Sequence, residues 1–79
     1  MAKKQFKIGE YAVGGIIAVE TSSKNETVSI KALEWFSKRE VKGQTFSNED
    51  TRGIKEFLFD LTSSYYAGKV LDWIKANIK

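Results

Sequence analysis

Thr27-Val28-Ser29-Ile30-Lys31-Ala32-Leu33-Glu34-Trp35-Phe36 decides the fold. Apolar and polar side chains alternate along it, and alternation at a period of two belongs to a strand with one face on a core and one face outward. Val28, Ile30, Ala32, Glu34 and Phe36 share one side and Ser29, Lys31, Leu33 and Trp35 the other. The first set is expected to face the core. The second is mixed, and Trp35 beside Leu33 and Lys31 is too apolar for bare solvent, so a partner or a ligand is expected there.

Upstream, Phe6-Lys7-Ile8 and Tyr11-Ala12-Val13 precede Gly14-Gly15, and Ile16-Ile17-Ala18-Val19 follows. Paired glycines between apolar runs suit a two-residue hairpin turn, whose central residues need positive φ. One long strand kinked at a glycine bulge is the competing reading. The polar stretch Thr21–Glu26 is the next loop, with Asn25 suited to left-handed geometry.

Downstream, Ser37-Lys38-Arg39 turns the chain into a last strand, Glu40 to Phe46. Ser47-Asn48-Glu49-Asp50 is a helix-start signature, with Ser47 as the cap and acids at the positive end of the helix dipole. Ile54, Phe57, Leu58 and Leu61 form one apolar stripe. Continued at 100° per residue, that helix would throw Val70, Leu71, Ile74 and Ile78 to the opposite side, so it must break. Thr62-Ser63-Ser64 is the expected break, because hydroxyls compete for backbone bonds and can cap a new helix, with Gly68 a second candidate, so that the second helix starts at about Tyr65 or Lys69. The expected fold is α+β, a three- or four-stranded antiparallel sheet followed by two C-terminal helices packed on one face.

The 79 residues leave room for one domain. A core of this size supplies only ~3–5 kcal/mol, so small chains lean on disulfides, metals or partners. Cysteine and histidine are both absent. That excludes disulfides, thiolate zinc sites, imidazole bases and triad nucleophiles, and self-association becomes the expected support. No signal-peptide pattern occurs, and the longest uncharged run, Tyr11 to Val19, is far short of the ~20 residues of a membrane span. A cytoplasmic protein is expected; the glycosylation pattern at Asn25 then carries no meaning.

The net charge of +3 is uneven. Lys3, Lys4 and Lys7 at one end and Lys69, Lys75 and Lys79 against Asp72 at the other leave residues 8–68 at −2. Glu49 and Asp50 could hold a magnesium ion, but capping explains them. Gly14-Gly15 matches no phosphate-binding glycine pattern.

Aromatics are the more useful clue. Tyr65 and Tyr66 are adjacent at the helix break, so one of them must face outward. Tyr65, Tyr66 and Trp35 could stack a base while Lys31, Lys38, Arg39, Lys42 or Lys69 meets phosphate; the alternative is that Tyr66 and Trp73 fill the core and Trp35 lies under a neighbour.

Phe6-Lys7-Ile8-Gly9 before a strand, Val28-Ser29-Ile30-Lys31 in the next, and Gly43-Gln44-Thr45-Phe46-Ser47 leading into a helix resemble the sheet-then-helix single-stranded-DNA binders of the transcriptional-coactivator type. The resemblance covers about half the chain, lacks the basic strands of that family and leaves the second helix without a counterpart. In type, though not in motif, the chain also looks like the small accessory proteins with which phages inhibit host enzymes. The expectation is a non-enzymatic, homo-oligomeric binding protein without cofactor or metal, whose partner is an anionic ligand, either a nucleotide or single-stranded nucleic acid. A protein-interaction module docking on a host protein through Trp35 is the alternative.

Overall fold

The alternation in residues 27–34 is realised as a central strand in the computed structural model, which describes residues 2–78. Four strands, β1 (Ala2–Lys7), β2 (Gly15–Ser22), β3 (Thr27–Glu34) and β4 (Glu40–Ser47), form one antiparallel sheet in the order β1-β2-β3-β4. Helices α1 (Thr51–Leu61) and α2 (Ser64–Asn77) follow. The expected α+β class, a four-stranded antiparallel sheet followed by two helices, is the observed one.

Register explains the core. Ile17 lies opposite Ala32, Val19 opposite Ile30 and Thr21 opposite Val28, while Val28 lies opposite Phe46. All these side chains are buried and share one face. The stripe Ile54, Phe57, Leu58 and Leu61 of α1 and Ala67, Val70 and Ile74 of α2 close over it. Each large aliphatic side chain withdrawn from water contributes ~1.5–3 kcal/mol. The helical phase breaks where the hydroxyls lie: α1 stops at Leu61, and Ser63 is the N-cap residue of α2.

Several local expectations are corrected. Tyr11–Val13 is not a strand. Gly9 at φ 72° turns the chain into a 3-10 turn over Gly9–Tyr11, and the segment then bonds to the helix junction: Val13 N–H donates to the Leu61 carbonyl at 2.8 Å and Ala12 bridges to Thr62. The β1–β2 connection is therefore longer than two residues, closed by Ile8 N–H donating to the Gly15 carbonyl at 2.9 Å. Gly14 and Gly15 do take positive φ, 75° and 108°. In the β2–β3 turn it is Glu26, not Asn25, that is left-handed, at φ 54°. Asp50, rather than Ser47, caps α1, accepting from Gly53 N–H at 3.0 Å. Phe36 is exposed instead of buried, because the chain leaves the sheet after Glu34.

Candidate functional site

Period-two geometry gives the sheet a second face, away from the helices. Across it run three rows: Lys3, Glu20, Ser29, Thr45; then Gln5, Ala18, Lys31, Gly43; then Lys7, Ile16, Leu33, Glu40. The middle of this face is small or short: Ala18, Ser29 and Gly43. A groove of about 530 Å³ opens there, with Lys3, Gln5, Glu20, Lys31 and Leu33 among its lining residues.

The groove has fixed and loose parts. Ser29 and Thr45 hydroxyls are 2.9 Å apart across β3 and β4. Lys31 crosses Gly43, where an added Cβ would stand 3.1 Å from the lysine Cγ, and its Nζ lies 3.6 Å from the Glu40 carboxylate. Both side chains of that pair are about half exposed. Such pairs contribute ~0–1 kcal/mol, so an incoming anion can take Lys31 from Glu40 at little cost. Ile16, completely buried between Lys7 and Leu33, anchors one end of the face.

At that end stands the β3–β4 turn, residues 35–39. The Glu34 carboxylate accepts from Phe36 N–H at 2.9 Å and Ser37 N–H at 2.6 Å, Glu34 N–H donates to the Arg39 carbonyl at 2.8 Å, and Arg39 N–H donates to the Ser37 hydroxyl at 3.2 Å. The Ser37 backbone and hydroxyl hold the Glu34 carboxyl below its ordinary value against an opposing effect of burial, with further help from the Phe36 N–H and the Lys38 charge. Lys38, left-handed at φ 62°, donates from Nζ to the Trp35 carbonyl at 2.7 Å, and the ammonium sits 5.6 Å from the Trp35 ring centroid. Trp35 in turn packs on Gly15, where a Cβ would meet the indole at 3.1 Å.

The residues singled out from the sequence thus fall into three groups. Lys31 lies in the groove; Trp35, Lys38 and Arg39 share the turn at its end. Tyr65, Tyr66 and Lys69 form a second group in the first turns of α2: Tyr66 stacks on Tyr11 at 5.7 Å, Tyr65 meets Tyr66 edge-on at 5.0 Å, and the Lys69 ammonium lies 5.0 Å from the Tyr65 ring. Lys42 stands apart on the helix side of the sheet, 5.5 Å from the Phe57 ring. Sequence reasoning missed Lys3, which the charge count treated as part of a solvated end; pairing β1 to β2 in phase would have found it. It also missed the outward position of Phe36.

Asp50 is engaged in capping, and among the described residues no cluster of three acids is placed to hold a metal ion. No described helix is long and apolar enough to cross a membrane. No family model, curated protein or solved structure matches the chain.

Proposed function

We propose that the chain is a non-enzymatic binding protein for a phosphate-bearing ligand, a nucleotide or a single-stranded nucleic acid, received on the helix-free face of the sheet. The observation that carries this reading is the groove with Lys3 and Lys31 in its lining and the Trp35-Lys38-Arg39 turn at its end. Cations beside a flat ring meet what such a ligand offers: phosphates with negative charge and bases with a π-face. Base–aromatic stacking is worth ~1–3 kcal/mol per base, and phosphate contacts supply a salt-dependent remainder.

The test is fluorescence anisotropy of a labelled oligothymidylate, with ATP as competitor, across roughly 50 to 200 mM salt. Single-strand contacts lower the logarithmic salt slope by ~0.7 for each neutralised phosphate, so Lys3, Lys31 and Arg39 together give a slope near −2. Lys31→Ala should weaken binding and reduce the slope by one such step. Binding with no salt dependence, or none of either probe at low salt, would overturn the reading. The exposed Phe36 favours a second kind of contact, with protein, whose strength is insensitive to salt.

A further inference from the structure

The connections of the fold alternate between two ends of the molecule. The β1–β2 loop, the β3–β4 turn and the α1–α2 junction lie at one end, tied together by Val13 to Leu61, by the Thr62 hydroxyl to the Tyr11 carbonyl, and by Trp35 on Gly15. The five exposed aromatic side chains among the described residues all belong to this end: Phe36 (87% exposed), Tyr65 (65%), Tyr11 (56%), Phe59 in the last turn of α1 (46%) and Trp35 (38%). Exposed Val13 joins them. The opposite end, with the β2–β3 turn and the β4–α1 connection, has none of these.

We infer that this aromatic end is the surface on which a second copy of the chain docks, related by a two-fold axis. Three observations select that occupant. The first is area. At ~200 Å² for a fully exposed ring, the five aromatics together expose on the order of 600 Å², most of the ~800 Å² each partner brings to a standard interface. The second is charge. Lys38, Arg39 and Lys69 share this end with Glu10 and Asp60. A two-fold contact brings each patch against its own copy, so it needs both signs; here the cations of one copy can face the acids of the other. The third is rigidity. Phe36 sits on a turn whose backbone is bolted by the Glu34 carboxylate, so presenting the ring to a partner costs little ordering.

The Trp35-Lys38-Arg39 turn belongs to this contact as well as to the end of the groove, so association is tested without ligand. Sedimentation velocity from about 1 to 200 µM should give a species of twice the 8.9 kDa chain mass, a range that brackets micromolar association. Phe36→Ser and Tyr65→Ser should each raise the dissociation constant at least ~10-fold, about 1.4 kcal/mol, while Lys24→Ser at the opposite end leaves it unchanged. Both target side chains are exposed, so unchanged far-ultraviolet circular dichroism is expected and separates loss of docking from loss of fold. A monomer throughout the concentration range overturns the inference. So does a dimer that persists undiminished in both variants, because the copies then meet elsewhere.

Discussion

Alanine at Gly14 tests how tightly the β1–β2 loop is held against the sheet. Gly14 has φ 75°, and a Cβ there would lie 2.6 Å from the Leu33 carbonyl oxygen and 2.9 Å from its carbon. Both are backbone atoms of β3 that cannot swing aside. The left-handed conformation alone costs an L-residue ~1–2 kcal/mol. Relieving the contact means lifting a loop pinned by Val13 N–H on Leu61, which puts a further hydrogen bond of ~1 kcal/mol at risk. The expected loss is ~2–4 kcal/mol, most of the stability such a small core provides. Gly9 supplies the comparison: its φ is 72° but nothing lies within 4 Å of its missing Cβ, so Gly9→Ala should cost ~1–2 kcal/mol, the conformational part alone. Gly68, inside α2 with open space around it, should gain ~0.5–1 kcal/mol on the same change. The entropy that alanine removes from the unfolded chain is common to all three and cancels in the comparison. Thermal and urea unfolding read the order directly, with ~4–8 °C in Tm for each kcal/mol. Equal losses at Gly14 and Gly9 would refute the close approach of Gly14 to β3.

Three further outcomes follow from the geometry. The Glu34 carboxyl is held below its ordinary 4.5, so the order it confers on the 35–39 turn is fully present above that value and is lost as pH falls through the lower folded one; amide NMR shifts of Phe36 and Ser37 should titrate there, and in Glu34→Gln they should not. Asp50→Ala removes the N-cap of α1 and should cost ~1 kcal/mol in urea unfolding. Leu58→Ala, at a fully buried position, should cost ~2–5 kcal/mol in urea unfolding.

Much of the fold was legible in residues 27–34 and 54–61, where spacing alone fixes which face is buried. The helix break was legible too, since hydroxyls at 62–64 coincide with a change of apolar phase. What escaped depends on long-range bonds. Nothing near Tyr11–Val13 signals that its backbone partners are Leu61 and Thr62, about fifty positions away, and the apolar pattern there imitates a strand. Phe36 continued an alternation that a side-chain carboxylate two residues earlier had already ended. At the candidate site, Lys31 could be placed from its own strand. Lys42 could have been set aside from Phe46, four residues on and facing the core, whereas Lys3 required the register of β1 against β2, which no local pattern contains.

The meander has a consequence for the moment of synthesis. Every strand pairs with its neighbour in sequence, so the sheet can assemble as soon as residue 47 is free, while both helices still lie in the chain to come. Until residues 51–77 follow and fold over the sheet as α1 and α2, Ile17, Val19, Val28 and Ile30 lie uncovered. During that interval the nascent chain shows an oily sheet to its surroundings, and it is then, more than after release, that this protein needs shielding from its neighbours.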